Sequence, residues 1–281
     1  MGIGSRSWSA LRRVPVWFWI LGGGAAAFQL ILLALRATDD VVLAPSLILL
    51  GSTIVPASVL SYSASDGRRI LVPAGLVTAV AVCGGVLGTV AAGTVEHDAL
   101  ELLGGLPPVL IAVIEECMKL IVPLLVLGLD TERDSRYGLI VGVASAMGFA
   151  SLETMGYAFQ TFLESHTLRG VEDTLLLRAL TAPAGHLAWT GLVCAAVWDL
   201  RRSGLRSRRI RVVRLLVVFA AAVGLHAAWD TAGSLGVHLV VAWVSFGSLL
   251  LAISLTQRRW QPRRPLASGR GLDSDRVRAD P

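Results

Sequence analysis

The sequence predicts an all-α fold: a polytopic membrane helical bundle of about eight transmembrane helices, with both termini in the cytoplasm (N-in and C-in). Three observations predict it. Hydrophobic residues make up 54% of the 281 residues and charged residues only 16%, against about a quarter charged in soluble domains. The mean hydropathy is +0.67, and the apolar residues fall in runs of roughly 20, the length a helix needs to cross about 30 Å of hydrocarbon. The basic residues are grouped between alternate runs, as the positive-inside rule requires.

The spans read as 15–36, 41–61, 70–92, 107–129, 139–162, 174–198, 215–233 and 234–255. The first follows Arg12 and Arg13. It resembles a signal peptide but is too long for an h-region and has no A-x-A site after it, so it reads as a retained anchor. Pro45, Pro56, Pro73, Pro107, Pro108, Pro123 and Pro183 start or kink helices. The last two spans are joined by a short turn at Asp230–Ser234. Residues 1–14 form a cytoplasmic segment, 15–255 the membrane domain, and 256–281 a basic tail whose Arg, Pro, Gly, Ser and Asp content predicts disorder.

With the N-terminus inside, all but four of the 25 basic residues fall on the cytoplasmic side. The exceptions are Arg36, Lys119, Arg169 and Arg178. The outer loops carry Asp39, Asp40, Glu96, Asp98, Glu101, Glu164, Glu172 and Asp173. Topology and anionic headgroups therefore account for the pI near 9.7, and nucleic-acid binding is not needed. The lipid bilayer is the partner. Trp17, Trp19 and Trp198 are placed near the inner interface. Cys83, Cys117 and Cys194 suggest neither a disulfide framework nor a CxxC pair. The Gly84-x-x-x-Gly88 and Gly138-x-x-x-Gly142 spacings permit close helix approach; oligomeric state is not legible.

Ionisable residues within lipid are expensive and are functional candidates by default. Span four holds Glu115, Glu116 and Lys119, span five Glu153, span six His186, and span seven His226 with Asp230. At about 1.5 Å rise per residue, Glu115 lies about 12 Å below the outer end of its span and His186 about 18 Å below. Glu153 lies about 21 Å and His226 about 16 Å above the inner ends of theirs. The four helices thus bring polar groups to one level, which points to a shared site. Glu115 and Lys119 share a face, while Glu116 lies about 100° round. Asp230, four residues from His226, is placed to orient its imidazole. Lys119 is the chain's one lysine; a compact ammonium beside the glutamates and a chance neutralising charge both explain it. Arg178 either snorkels to the interface or meets a ligand. His97, His166 and His238 receive no role.

The ordered pattern Glu115-Glu116-x-x-Lys119, Phe149-x-x-x-Glu153, His186 and His226-x-x-x-Asp230 resembles the PrsW family of intramembrane proteases, over about residues 40–255. That family is related to the CAAX prenyl endopeptidases, whose first two motifs are EExxxR and FxxxH. The resemblance implies a multi-pass bacterial cytoplasmic-membrane protease. It would cut membrane-anchored protein substrates, anti-sigma factors among them, on the extracytoplasmic side. It implies catalytic roles for Glu115, Glu116, Glu153, His186 and His226, with Lys119, Asp230 and Phe149 supporting. Glu115 or Glu116 would be the general base, and Phe149 would pack under Glu153.

Two versions of the chemistry stay open. In one, a desolvated glutamate activates water with no cofactor. In the other, Glu116, Glu153, His186 and His226 hold a divalent metal such as zinc, although HExxH is absent. Two other functions compete: a proton- or ion-coupled transporter, and a non-catalytic scaffold of the same superfamily. A transporter would show an internal repeat or paired broken helices, and a scaffold would have lost acidic or histidine positions. The sequence shows none of these.

Overall fold

The computed structural model describes residues 14–65, 72–165, 167–181, 183–202 and 207–259. Most of segment 1–14, most of the predicted tail and His166 lie outside the described residues. The elements are α1 (Val16–Thr38), a 3-10 turn (Val41–Leu43), α2 (Ala44–Ala64), α3 (Ala74–Leu103), α4 (Pro108–Met118), α5 (Ile121–Leu129), α6 (Ser135–Ser165), α7 (Leu168–Thr181), a π turn (Pro183–Leu187), α8 (Ala188–Asp199), α9 (Arg208–Asp230) and α10 (Leu235–Arg259). Among the described residues there is no strand. The prolines act as expected at helix starts: Pro73 and Pro107 are N-caps, and Pro108 opens α4.

Seven helical stretches are long and apolar enough to span a membrane. The fourth predicted span, 107–129, is instead split into α4 and α5, neither long enough to cross alone. The cause is Pro123, which has no N–H to donate to the Lys119 carbonyl four residues back. Ser145 Oγ of α6 fills that vacancy by donating to Lys119 O at 2.9 Å. A second interruption is the π turn between α7 and α8, which begins at Pro183. The sequence reading found no paired broken helices; the structure has two, and both lie at the same buried cluster. α3 and α10 also run past their predicted ends, to Leu103 and Arg259.

Two rods form the interior. α6 buries Leu139, Ile140, Val143, Ala144 and Ala150 against α8, whose Trp189, Val193, Cys194 and Trp198 are equally buried. Trp198 therefore belongs to the core and not to an interfacial belt. Small residues let the neighbours close in. A Cβ on Gly142 would stand 2.7 Å from Thr190 O, and one on Gly138 2.7 Å from the Trp198 ring. On the other flank a Cβ on Gly148 would lie 1.8 Å from Ala81 O of α3. Gly148→Ala is thus expected to push α3 off α6 and to cost about 1–3 kcal/mol of stability. Thermal unfolding in detergent checks this, with Gly156→Ala as control, since a Cβ there meets nothing within 4 Å.

The end of the bundle at the α5–α6 junction is pinned by polar contacts. Asp130 accepts from the Tyr137 hydroxyl, and Arg201 donates to its carbonyl at 2.8 Å. The Tyr137 hydrogen bond holds the Asp130 carboxyl below its usual range. α7 joins the bundle through Val171 and Leu175, which pack on Phe28, Leu32, Leu47 and Ile48 of α1 and α2.

Candidate active site

The site begins at the end of α4. The last helical turn brings Lys119 back over Glu115 and Glu116, so its Nζ donates to Glu115 Oε2 at 3.0 Å and to Glu116 Oε1 at 2.9 Å. The ammonium is fully buried and lies 4.3 Å from the centre of the Phe149 ring. Phe149 thus packs under Lys119, and it also meets the His186 ring at 5.7 Å. The helix break keeps the lysine at a helix end, where its side chain can turn inward.

Hydrogen-bond inventory then fixes His186. Lys119 Nζ is 2.7 Å from His186 Nδ1. An ammonium can only donate, so Nδ1 accepts and the ring proton is on Nε2. That nitrogen is 2.9 Å from Glu153 Oε2, a carboxylate that can only accept. Glu153 also receives Arg178 Nη2 at 2.6 Å. Arg178 is tied further to α6 by Nε donating to Thr154 Oγ1 at 2.9 Å and by its position 4.5 Å over the Tyr157 ring. It is neither free nor at an interface: it neutralises Glu153.

His226 is fixed the same way from α9. Its Nδ1 is 3.0 Å from Glu116 Oε1 and donates to it. Thr190 Oγ1 reaches the other Glu116 oxygen at 3.5 Å. The Nε2 of His226 faces Glu115 Oε2 and Asp230 Oδ2, each at 3.6 Å. Asp230 therefore approaches the ring from the side opposite the one that orients it; the orienting carboxylate is Glu116. Trp189 stacks on His226 with centroids 4.9 Å apart and stands edge-on to His186 at 5.5 Å. Its indole N–H is anchored on Ser245 of α10 at 2.9 Å.

All the sequence-predicted residues thus gather in one connected cluster, supplied by α4, α6, the π turn and α9. A cavity of about 110 Å³ opens beside it, with Glu153, Arg178, His186, Trp189, His226 and Asp230 among its lining residues. That space admits a few waters. Sequence reasoning missed Ser145, Trp189 and Thr190, which carry no motif. It read Arg178 as snorkelling to the interface or meeting substrate and did not pair it with Glu153, although a cation and a carboxylate in neighbouring spans call for each other. Glu96, read as an outer-loop residue, lies on α3 with a buried Oε1 that has no hydrogen-bond partner among the described residues.

Glu115, His186 and His226 each offer one ligand atom, all within 4.8 Å of one another, and can hold a metal ion. This set differs in its carboxylate from the one expected. The rotation of α4 aims Glu116 at Nδ1 of His226, and Glu153 is taken up by Arg178. The 3.6 Å between Glu115 Oε2 and His226 Nε2 suits two ligands about 2.0–2.2 Å from one zinc ion. Charge agrees as well. Among the described residues, Glu115, Glu116, Glu153 and Asp230 pair with no cation but Lys119 and Arg178, which leaves a deficit of two charges when the histidines are neutral. These donors fit a divalent ion.

Comparison with curated proteins gives no match, and comparison with solved structures gives none either. The profile described as PrsW family intramembrane metalloprotease matches residues 72–255, a stretch that holds every residue of the buried cluster, and the chain belongs to that family of membrane proteases.

Proposed function

We propose that the chain is an endopeptidase that hydrolyses peptide bonds of membrane-anchored proteins, anti-sigma factors among the candidate substrates, with water activated by Glu115. The observation that carries this is the convergence of carboxylates and imidazoles from α4, α6, the π turn and α9 on one buried cluster beside a small cavity in the helical bundle. The placement of basic residues supports an N-in, C-in orientation in a bacterial cytoplasmic membrane, with the cavity in the outer half. The shared motif order supports kinship with the CAAX endopeptidases.

Each role follows from the contacts. Glu115 and Glu116 differ in what surrounds them. Glu116 is sealed in by Lys119, Thr190 and His226, so it positions His226. Glu115 is bound by Lys119 on one side and faces Nε2 of His226, a residue that lines the cavity, on the other. It takes the proton from the attacking water. His226, whose Nε2 lone pair faces Glu115, accepts that proton and passes it to the leaving amine. Arg178 donates to Glu153 and Thr154, and among the described residues nothing accepts from its Nη1, which is available to the developing oxyanion. The family description includes a metal; were one held by Glu115 and His226, it would take up the atoms that otherwise move the proton and would itself supply Lewis acidity and a more acidic water. A proton-coupled transporter would draw on the same buried charges, but family membership favours hydrolysis.

The test is cleavage of a single-span substrate by purified, reconstituted protein. Wild type is expected to cut. His226→Ala is expected to lose about 10²–10⁴-fold in rate. Undiminished cleavage by His226→Ala overturns the assignment of this cluster.

A further inference from the structure

α10 supplies none of the carboxylates or imidazoles of the cluster, yet it reaches them. Its buried stripe is Val241, Ser245, Leu249 and Ile253, which recur at every fourth position along one face. Ser245 is the polar member of that stripe and is 1% exposed. The other hydroxyls of α10 bond back to carbonyls of their own helix: Ser248 to Val244 O, Ser254 to Leu251 O and Thr256 to Ala252 O. That is the usual pairing of a hydroxyl in a membrane helix. Ser245 differs. Its Oγ accepts the indole N–H of Trp189, on α8, at 2.9 Å.

Trp189 in turn touches both imidazoles of the site. It stacks on His226 with centroids 4.9 Å apart and planes 26° from parallel, and it stands edge-on to His186 at 5.5 Å. The stack matters to His226 because one hydrogen bond does not hold a ring. The bond from Nδ1 to Glu116 at 3.0 Å sets where the imidazole points. The ring can still turn about that bond and carry Nε2 away from Glu115. Contact with the indole face removes this freedom. The indole is itself held at two edges. Ser245 fixes its N–H, and Gly185 of the π turn lies against its six-membered ring, where a Cβ would come within 3.1 Å of Cη2.

We propose that Ser245 and Trp189 are positioning residues for His226: the Ser245 hydroxyl holds the Trp189 indole, and the indole face sets the plane of the imidazole so that Nε2 meets the proton passed from Glu115. This rests on the protease reading above. It gives α10, whose neighbouring Trp243 and Val244 face outward, a part in the chemistry through a residue outside every motif of the sequence. The two residues act in series. Ser245 reaches His226 only through Trp189, so its loss should do nothing once the indole is gone.

The experiment is steady-state cleavage of the single-span substrate by the full chain reconstituted in liposomes, with rates taken per folded protein. Ser245→Ala should lower kcat by about 10–100-fold with KM little changed, the loss expected when a reacting group is held off its line. Ser245→Cys, whose sulfur is a weaker acceptor, should fall between Ser245→Ala and wild type. Trp189→Phe should lose at least as much as Ser245→Ala, and adding Ser245→Ala to it should change the rate by less than about twofold. Ser248→Ala removes a hydroxyl that bonds within its own helix and should cut like wild type. Should Ser245→Ala fail to fold, Ser245→Cys carries the same comparison. A Ser245 variant that cuts at the wild-type rate, a loss confined to KM, or losses that multiply in the double variant overturns the proposal and leaves the protease reading standing. So does an equal loss in Ser248→Ala, which would mark a general softening of α10. A wild type that does not cut refutes both.

Discussion

Glu115→Gln should abolish peptide hydrolysis while leaving the fold intact. Glutamine keeps the size of the side chain and can still accept from Lys119 Nζ, now at 3.0 Å from Glu115 Oε2, so little repacking is demanded. It cannot take a proton from water. Loss of a general base costs about 10²–10⁴-fold in rate. Because it acts only in the chemical step, the loss should appear in kcat with KM little changed. Glu116→Gln should behave differently. It removes the acceptor that orients His226 Nδ1–H at 3.0 Å, so an amide flip can restore part of the activity. Single-turnover cleavage of a reconstituted single-span substrate checks the pair. If Glu115→Gln cleaves as fast as wild type while Glu116→Gln is dead, the two glutamates have been assigned the wrong way round.

Lys119→Met should be the most destabilising single change in the cluster. The ammonium is 0% exposed and holds two carboxylates at 2.9 and 3.0 Å and an imidazole at 2.7 Å. Deleting one partner of a buried ion pair costs about 3–5 kcal/mol, because the remaining charges stay buried and uncompensated. The two carboxylates of α4 that converge on the ammonium then repel each other. Lys119→Arg should not rescue it, since a planar guanidinium does not fit the space of a compact ammonium. Arg36→Ala is the contrast. Arg36 pairs with Glu172 on the outer surface and is 56% exposed, and exposed pairs contribute about 1 kcal/mol or less. Unfolding of both variants in mixed detergent micelles reads the difference. Equal stability of Lys119→Met and wild type would mean that the ammonium is not where the structure puts it.

The fold class and the composition of the site were legible because lipid makes both expensive to get wrong. Long apolar runs need no tertiary information to be recognised, and an ionisable residue within one stands out against them. Depth was legible for the same reason: counting residues from the interface placed Glu115, Glu153, His186 and His226 at one level. Rotation was not. Residue spacing sets the 100° between Glu115 and Glu116 but not which of them meets which nitrogen of His226, since that depends on how Ala112 and Ile114 seat α4 against its neighbours. The split of span four had a signal in Pro123, four residues after Lys119, but hydropathy alone passes over it. Asp230 meets the histidine that its spacing assigns it, but i,i+4 spacing says that two side chains meet and not which atoms do. Ser145 and Thr190 were invisible, because a hydroxyl in a membrane helix usually back-bonds to its own turn and only coordinates show one reaching another helix.

The single lysine makes the central claim directly measurable. Protein labelled with ¹⁵N-lysine, ¹³C-glutamate and ¹³C-histidine and reconstituted in bilayers gives one ammonium resonance, since Lys119 is the chain's one lysine. Solid-state dipolar recoupling then reports which carbons surround it. The structure predicts strong coupling to two glutamate carboxyl carbons and to one imidazole ring, with the imidazole coupling lost in His186→Ala. An ammonium without a nearby carboxyl carbon, or with glutamates but no histidine, would contradict the convergence of these helices on one site.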